Sequence, residues 1–144
     1  MLFRSRYGFT HVPLEVQTMD GATTSGVVDR RRVERILANL LENARDHAGG
    51  ATRVTLLSTP TMFELAVEDD GPGIAVSERE RIFERFARGS ASRNSTGSGL
   101  GLAIVAEHAR ALGGEARVEN SARGGARFVV TFTRHTSDDS EVSS

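Results

Sequence analysis

Three stretches of this sequence carry residue types that could do chemistry together. The first is Asn39-Leu40-Leu41-Glu42-Asn43-Ala44, with apolar residues at Val33, Ile36, Leu37, Leu40, Leu41 and Ala44 around it. That spacing is helical and makes one buried stripe over residues 33–48. At about 100° per residue, Asn39 and Asn43 fall one turn apart on an edge of the stripe. Asparagine is a poor helix former, and an amide at a core border needs a partner or water. Two roles stay open for the pair: satisfied boundary amides, or, for Asn43, an amide oxygen offered to a hydrated Mg²⁺. The second stretch is Asp69-Asp70-Gly71-Pro72-Gly73-Ile74, entered directly from a β-type run at residues 62–68. A strand ending in acid-then-glycine places a carboxylate at the rim of a sheet, and the glycines let backbone approach a ligand. Asp69 either caps its own turn or accepts a hydrogen bond from an exocyclic amine, which would select adenine over guanine. The third stretch, Gly97-Ser98-Gly99-Leu100-Gly101-Leu102, runs into an apolar helix. Free N–H groups at such a helix start form an anion site, though a flexible hinge uses the same glycines.

The elements that position these residues follow from pattern. Leu14-Glu15-Val16-Gln17 alternates as a short strand, and residues 19–26 read as a loop. Asp29 is the expected N-cap of the asparagine helix, and Gly49-Gly50 closes it. Arg30, Arg31 and Arg32 at its start oppose the helix dipole, and read as a solvated face first and a partner surface second. Residues 52–58 and 62–68 are two strands joined by a hairpin turn at Thr59-Pro60-Thr61. Ser77 with Glu80 has capping-box spacing for a short helix leading to Ile82-Phe83-Glu84-Arg85-Phe86. Residues 88–98 are polar, with almost nothing apolar, and such a loop within a domain is usually functional or disordered. Residues 103–112 form a helix ended by Gly113-Gly114. Residues 115–119 and 127–133 are strands around a turn at 121–125. The tail from His135 onward is expected to lack structure.

Bulk properties remove several functions. The 144 residues suit one domain with a real core. A net charge of -1 provides no basic field for nucleic acid, and the absence of cysteine excludes disulfides, thiol catalysis and thiolate-bound metal. No lysine is present, so lysine-based phosphate loops are excluded. The glycines at 97–101 lack the strand that leads into a dinucleotide fingerprint. No apolar run approaches membrane-spanning length, and no signal peptide is recognisable.

The order Asn39-x-x-x-Asn43-Ala44, Asp69-x-Gly71-x-Gly73, Phe83-x-x-Phe86, Gly97-x-Gly99-Leu100-Gly101-Leu102 resembles the four boxes of the catalytic and ATP-binding domain of bacterial sensor histidine kinases. The likeness covers residues 14–134, with residues 1–13 as linker and 135–144 as tail. It implies an α/β fold: a two-layer α/β sandwich, a mixed and mainly antiparallel sheet with helices packed on one face, and a mobile ATP lid at residues 87–98. It implies ATP and Mg²⁺ as cofactors. Asn43 would hold Mg²⁺ with Asn39 in support, and Glu42 would be a proton acceptor. Asp69 would bind the adenine amine, and Gly71 and Gly73 would shape its pocket. His47, Arg88, Gly97, Gly99, Leu100, Gly101 and Leu102 would complete the nucleotide site, the last four with Gly97 around the phosphates. The resemblance further implies transfer of the γ-phosphoryl to a histidine on a separate dimerisation domain, then relay to a response regulator. It places the domain in the cytoplasm, with no nucleic acid or membrane contact of its own, and as a monomer when alone.

Within the wider superfamily, hydrolysing branches carry a glutamate four residues before the metal asparagine. Here that residue is Asn39, and an amide cannot take a proton at neutral pH. Transfer to another nucleophile by positioning and charge neutralisation remains open. Two departures stand out. Asp46 occupies a place where the family often has a cation for the phosphates, with Arg45, Arg85 or Arg88 as the compensating candidates. Gly124-Gly125-Ala126-Arg127-Phe128 differs mildly from the usual glycine-threonine pattern. None of the four histidines, His11, His47, His108 and His135, sits on a dimerisation-type helix. The alternatives are a degenerate nucleotide-binding module and an anti-sigma-type serine kinase.

Overall fold

A computed structural model describes residues 2–3, 12–18, 29–84 and 101–133. Its longest element is helix α1, Arg30–Ala48. Asp29 caps it as expected: its Oδ1 accepts from the Arg31 N–H at 3.0 Å and the Arg32 N–H at 3.3 Å. The helix ends at Gly49, which takes the left-handed conformation (φ 76°) that side chains resist. Strand β2 (Val12–Thr18) precedes α1, and strand β3 (Ala51–Ser58) follows it. These two strands pair in parallel, with Leu14 opposite Val54, because the intervening helix makes the crossover that parallel neighbours require.

The other pairings are antiparallel. Strand β4 (Met62–Asp69) returns along β3 through the Thr59–Thr61 turn. There the Thr59 N–H donates to the Met62 carbonyl at 2.8 Å, and the Met62 N–H donates to Thr59 Oγ1 at 2.9 Å. Helix α2 (Gly101–Ala111) leads to β5 (Ala116–Asn120) and β6 (Ala126–Thr133). Strand β1 (Leu2–Phe3) pairs with β2, and the sheet order is β1-β2-β3-β4-β6-β5. The sheet is thus mixed and mainly antiparallel, as the resemblance implies.

Register explains the core. Val54, Val67, Phe128 and Val118 stand side by side across β3, β4, β6 and β5. One turn of the pleat further on, Phe63 and Phe132 pair with ring centroids 5.5 Å apart. Ile36 and Leu40 of α1 and Val105 and Ala109 of α2 close over this face, each at 0% exposure. The opposite face carries buried Ala66 and Val129 under a lattice of ion pairs. Arg117 reaches Glu64 at 3.1 Å, and Arg127 pairs with both Glu119 and Glu68. The arginine stems cover apolar surface while their guanidinium groups stay at the water boundary. No described helix is long and apolar enough to cross a membrane.

Two local expectations change. Ser77 lies inside a one-turn 3-10 helix, Val76–Glu78, whose start at Ala75 has no side-chain cap. A second such turn follows at Arg81–Phe83. A capping box needs at least one α-turn to close on, and this segment has none. In the arginine triplet, Arg31 is exposed, but Arg32 turns inward to its own helix cap and to α2. It lies 3.5 Å from Asp29 Oδ2 and 2.9 Å from His108 Nδ1. A guanidinium only donates, so His108 Nδ1 is the acceptor and the ring proton sits on Nε2. The expectations for residues 19–26, 85–100 and 134–144 lie outside the described residues.

Leu40→Ala should cost about 2–5 kcal/mol of stability by removing a wholly buried side chain, read as a lower urea midpoint. Partial burial, then the charges of Arg32 and Arg35, hold His108 below its usual pKa of 6.5, against weaker opposing pulls from Glu107 and Asp29. The unfolded chain therefore takes up this proton at higher pH than the folded one. Stability should fall as pH drops through about 6.5 and level off below the folded value. His108→Gln should remove that part of the slope in urea titrations between pH 7.5 and 5.

Candidate functional site

Asp69 ends β4 with only 4% of its surface exposed. Its Oδ1 accepts two backbone N–H groups, from Gly71 at 3.0 Å and from Ala126 at 3.1 Å. Both donors converge on one oxygen, so Oδ2 takes neither. The neighbouring Asp70 faces outward and pairs with Arg123 at 3.3 Å. The two aspartates thus tie the end of β4 to the β5–β6 turn from inside and outside, and only the inner one is held in a groove wall.

Close approach explains the glycines here. A Cβ on Gly71 would stand 2.6 Å from the Ala48 Cβ, so the loop after β4 lies directly against the end of α1. Gly73 has φ +75°, and a Cβ there would stand 2.9 Å from the Gly124 carbonyl oxygen. A Cβ on Gly125 would stand 1.9 Å from the Asp69 carbonyl oxygen. Gly125 and the Ala126 N–H are therefore part of this wall. The sequence marked them as a strand turn and a mild variant of a family pattern, without a place in the site; the readable signal was the paired glycine between two strands.

The other end of the groove is built by the helices. A Cβ on Gly101, the first residue of α2, would stand 3.8 Å from Asn39 Oδ1. Asn39 therefore faces the α2 N-terminus, where unpaired N–H groups favour an anion. From Asn39, opposite Gly101, to Ala48, against Gly71, α1 advances about 13 Å at 1.5 Å per residue. Asn43 lies between them and is half-buried. Along α1 the two amides thus lie between the start of α2 at one end and the Asp69 turn at the other. Two buried side-chain atoms lack a hydrogen-bond partner among the described residues, Asn39 Nδ2 and Ser121 Oγ. Both belong to elements that border this groove, and an orphaned amide is costly unless a ligand completes it.

The structure sets Gly101 beside Asn39 and the Asp69–Gly71 turn against Ala48, with Asn43 between those two points on α1. Leu102 packs on the core beside them. His47 is exposed in the last turn of α1. Glu42 is exposed and 3.9 Å from Arg45, which also lies 3.4 Å from Asp46. Arg45 is therefore already engaged by two acids of its own helix. Arg85, Phe86, Arg88, Gly97, Gly99, Leu100 and the lid at 87–98 lie outside the described residues. No group of three His, Cys, Asp or Glu residues that could hold a metal occurs among the described residues. An amide oxygen such as that of Asn43 is a neutral donor that a hydrated Mg²⁺ tolerates.

A sandwich with this sheet order and this groove defines a class of nucleotide-binding domain, and comparison identifies the family. Residues 28–136 match the family described as histidine kinase-, DNA gyrase B-, and HSP90-like ATPase, and the chain belongs to it. It is 48% identical over 107 residues to the sensor protein RstB of Escherichia coli, covering 73% of this chain and 25% of RstB. It is 42% identical over 111 residues to the signal transduction histidine-protein kinase AfsQ2 of Streptomyces coelicolor, covering 76% of this chain and 21% of AfsQ2. The chain thus spans a quarter or less of the length of these relatives. Among solved structures it resembles the ATP binding domain of PrrB from Mycobacterium tuberculosis, with TM-score 0.61 and 34% identity over 85% of this chain and 82% of that one. It also resembles the mycobacterial sensor histidine kinase MprB, with TM-score 0.67 and 31% identity over 87% and 85% of the two chains.

Gly125→Ala should destabilise the fold by about 3 kcal/mol, because the methyl group meets backbone that cannot move aside. A lowered melting temperature would show that the wall is sterically closed at Gly125.

Proposed function

We propose that this chain is the ATP-binding catalytic domain of a sensor histidine kinase. It would present the γ-phosphoryl of ATP to a histidine on a dimerisation and phosphoacceptor domain, for relay to a response regulator. The observation that carries this reading is the Asp69 carboxylate, nearly buried and clamped through one oxygen by two backbone N–H groups. Its other oxygen is the acceptor for an exocyclic amine, which favours adenine. The phosphate end would then lie at the α2 N-terminus and Asn39, about 13 Å along α1 from Ala48.

The residues present fit Mg²⁺ bound with the nucleotide. Asn43 would hold it, and the ion when bound would neutralise phosphate charge. Asn39 would donate its unpartnered Nδ2 toward the ligand and support Asn43. Neither amide can accept a proton from water, so Asn39 and Asn43 do not activate water for hydrolysis. Glu42, one residue before Asn43, is the carboxylate able to accept the proton released by an incoming nucleophile. Asp46, which stands where the resemblance would lead one to expect a cation for the phosphates, draws Arg45 toward itself. His47 and His108 belong to the helices of this domain, and the acceptor histidine would be carried elsewhere. Such a domain works in the cytoplasm, where ATP and the regulator are, and is monomeric by itself.

Calorimetric titration with Mg-ADP or a non-hydrolysable ATP analogue tests the reading. The parent should bind, and Asp69→Asn and Asn43→Ala should each weaken binding tenfold or more, about 1.4 kcal/mol, with folding unchanged by circular dichroism. No binding by the folded parent would overturn the active-site reading and favour a degenerate module. Asp46→Asn should tighten binding several-fold if the phosphates lie beside it.

A further inference from the structure

Helices α1 and α2 meet through two polar contacts at equal spacing. Arg32 Nη1 lies 2.9 Å from His108 Nδ1, and a Cβ on Gly101 would stand 3.8 Å from Asn39 Oδ1. Arg32 and Asn39 are seven residues apart on α1, and Gly101 and His108 are seven apart on α2. Seven residues fall within about 20° of two full turns and span about 10.5 Å, so each helix carries its two contact residues on one face. Ile36 and Val105, both at 0% exposure, belong to the interval between the contacts. The seam is thus an apolar stretch pinned at both ends. One pin is a guanidinium–imidazole hydrogen bond, and the other is the start of α2 beside an asparagine.

The first pin depends on one proton. Nδ1 of His108 accepts from Arg32 only while the ring is neutral; a proton there makes both ring nitrogens donors and sets a cation against the guanidinium. Arg32 cannot relieve this by losing its own proton. Its Nε also lies 3.5 Å from Asp29 Oδ2, which ties it to the cap of α1. Burial first, then Arg32 and Arg35, disfavour the ring's proton, while Glu107 and Asp29 favour it. Those are the charged groups that act on His108 among the described residues: three from α1 and its cap, and one from α2 itself. Strands β5 and β6 and the 3-10 turn at Arg81–Phe83, which also pack on α2, add none among the described residues. The same pair that fastens the helices when His108 is neutral therefore pushes them apart when it is charged.

We propose that Arg32 and His108 are a positioning pair for the candidate site. With His108 neutral, the pair holds α2 along α1 so that the α2 N-terminus stands at Asn39. Protonation of Nδ1 releases that end of the seam and lets the start of α2 move off Asn39. Nucleotide affinity then falls in acid, because the start of α2 is the anion-holding end; this last step alone rests on the nucleotide reading.

An NMR titration of the full chain from pH 7.5 to 5, without nucleotide, tests the pair. The Gly101 amide and the Asn39 side-chain amide should shift with the midpoint of the His108 ring itself. In His108→Asn, which keeps a neutral acceptor near the place of Nδ1, both signals should stay flat. Arg32→Gln should raise the His108 midpoint and shrink the Gly101 response. The amides of Val67 and Val129, central in the sheet, report that each chain is folded. Gly101 and Asn39 signals that ignore the His108 midpoint, or that titrate equally in His108→Asn, would overturn the proposal. Calorimetry with Mg-ADP then tests the coupling to the site. Affinity should fall about fivefold more in the parent than in His108→Asn across the same range, and bound Mg-ADP should in turn lower the His108 midpoint. Titration of the nucleotide itself cancels in that comparison, so an equal fall in both proteins would refute the coupling. Failure of the folded parent to bind Mg-ADP at pH 7.5 would count against the nucleotide reading alone, and the Gly101 and Asn39 signals would still decide the role of the pair.

Discussion

The buried carboxylate of Asp69 joins parts of the chain that are far apart in sequence. Its Oδ1 holds the loop after β4 through Gly71 and the start of β6 through Ala126, across a separation of 57 residues in the second case. A carboxylate this buried is tolerated only when its oxygens are hydrogen-bonded. The two N–H donors meet that demand from one side, and they also fix where the remaining oxygen sits. The same contacts that make the residue affordable to bury make it a directional acceptor. Gly71, Gly73 and Gly125 are consequences of that arrangement, since each keeps a methyl group out of a gap already filled by backbone or by α1.

The second constraint is the packing of α1 against α2. Gly101 faces Asn39 at one end of the contact, and His108 meets Arg32 at the other. The helices therefore run in opposite directions, and the start of α2 is delivered to the asparagine edge of α1. Apolar burial through Ile36, Leu40, Val105 and Ala109 supplies the stability of this pairing. The polar edge left beside it supplies the orphaned amide. Core and site are two sides of the same helix, separated by about a quarter turn.

The acids of α1 give this groove an unusual balance. Glu42 and Asp46 flank Arg45, and both draw on its charge. An anionic ligand here relies on the α2 N-terminus, on amides and on a counter-ion, and less on arginine from α1. The charged lattice on the opposite face of the sheet is separate. It covers Ala66 and Val129 with arginine stems, so that face needs no second helical layer.

Much of this was legible in the sequence because it rests on local rules. The period of Val33, Ile36, Leu37, Leu40, Leu41 and Ala44 set α1 and its buried face. Asp29 and Gly49 marked its ends, since capping is satisfied within a few residues. The hairpin at Thr59–Thr61 and the turn at 121–125 were marked by their residue types. The family likeness of the boxes named the residues that would meet a nucleotide. Other features were decided only by tertiary structure, because they depend on contacts between distant segments. Ser77 had the spacing of a cap, but the chain there makes only 3-10 turns. Arg32 read as solvent-facing, but His108 of α2 lies beside it. Which of Asp69 and Asp70 turns inward, and that Ala126 supplies the second donor, follow from the register of β4 against β6. Spacing along one segment carries no information about that register, which is set where two strands pair through their backbones.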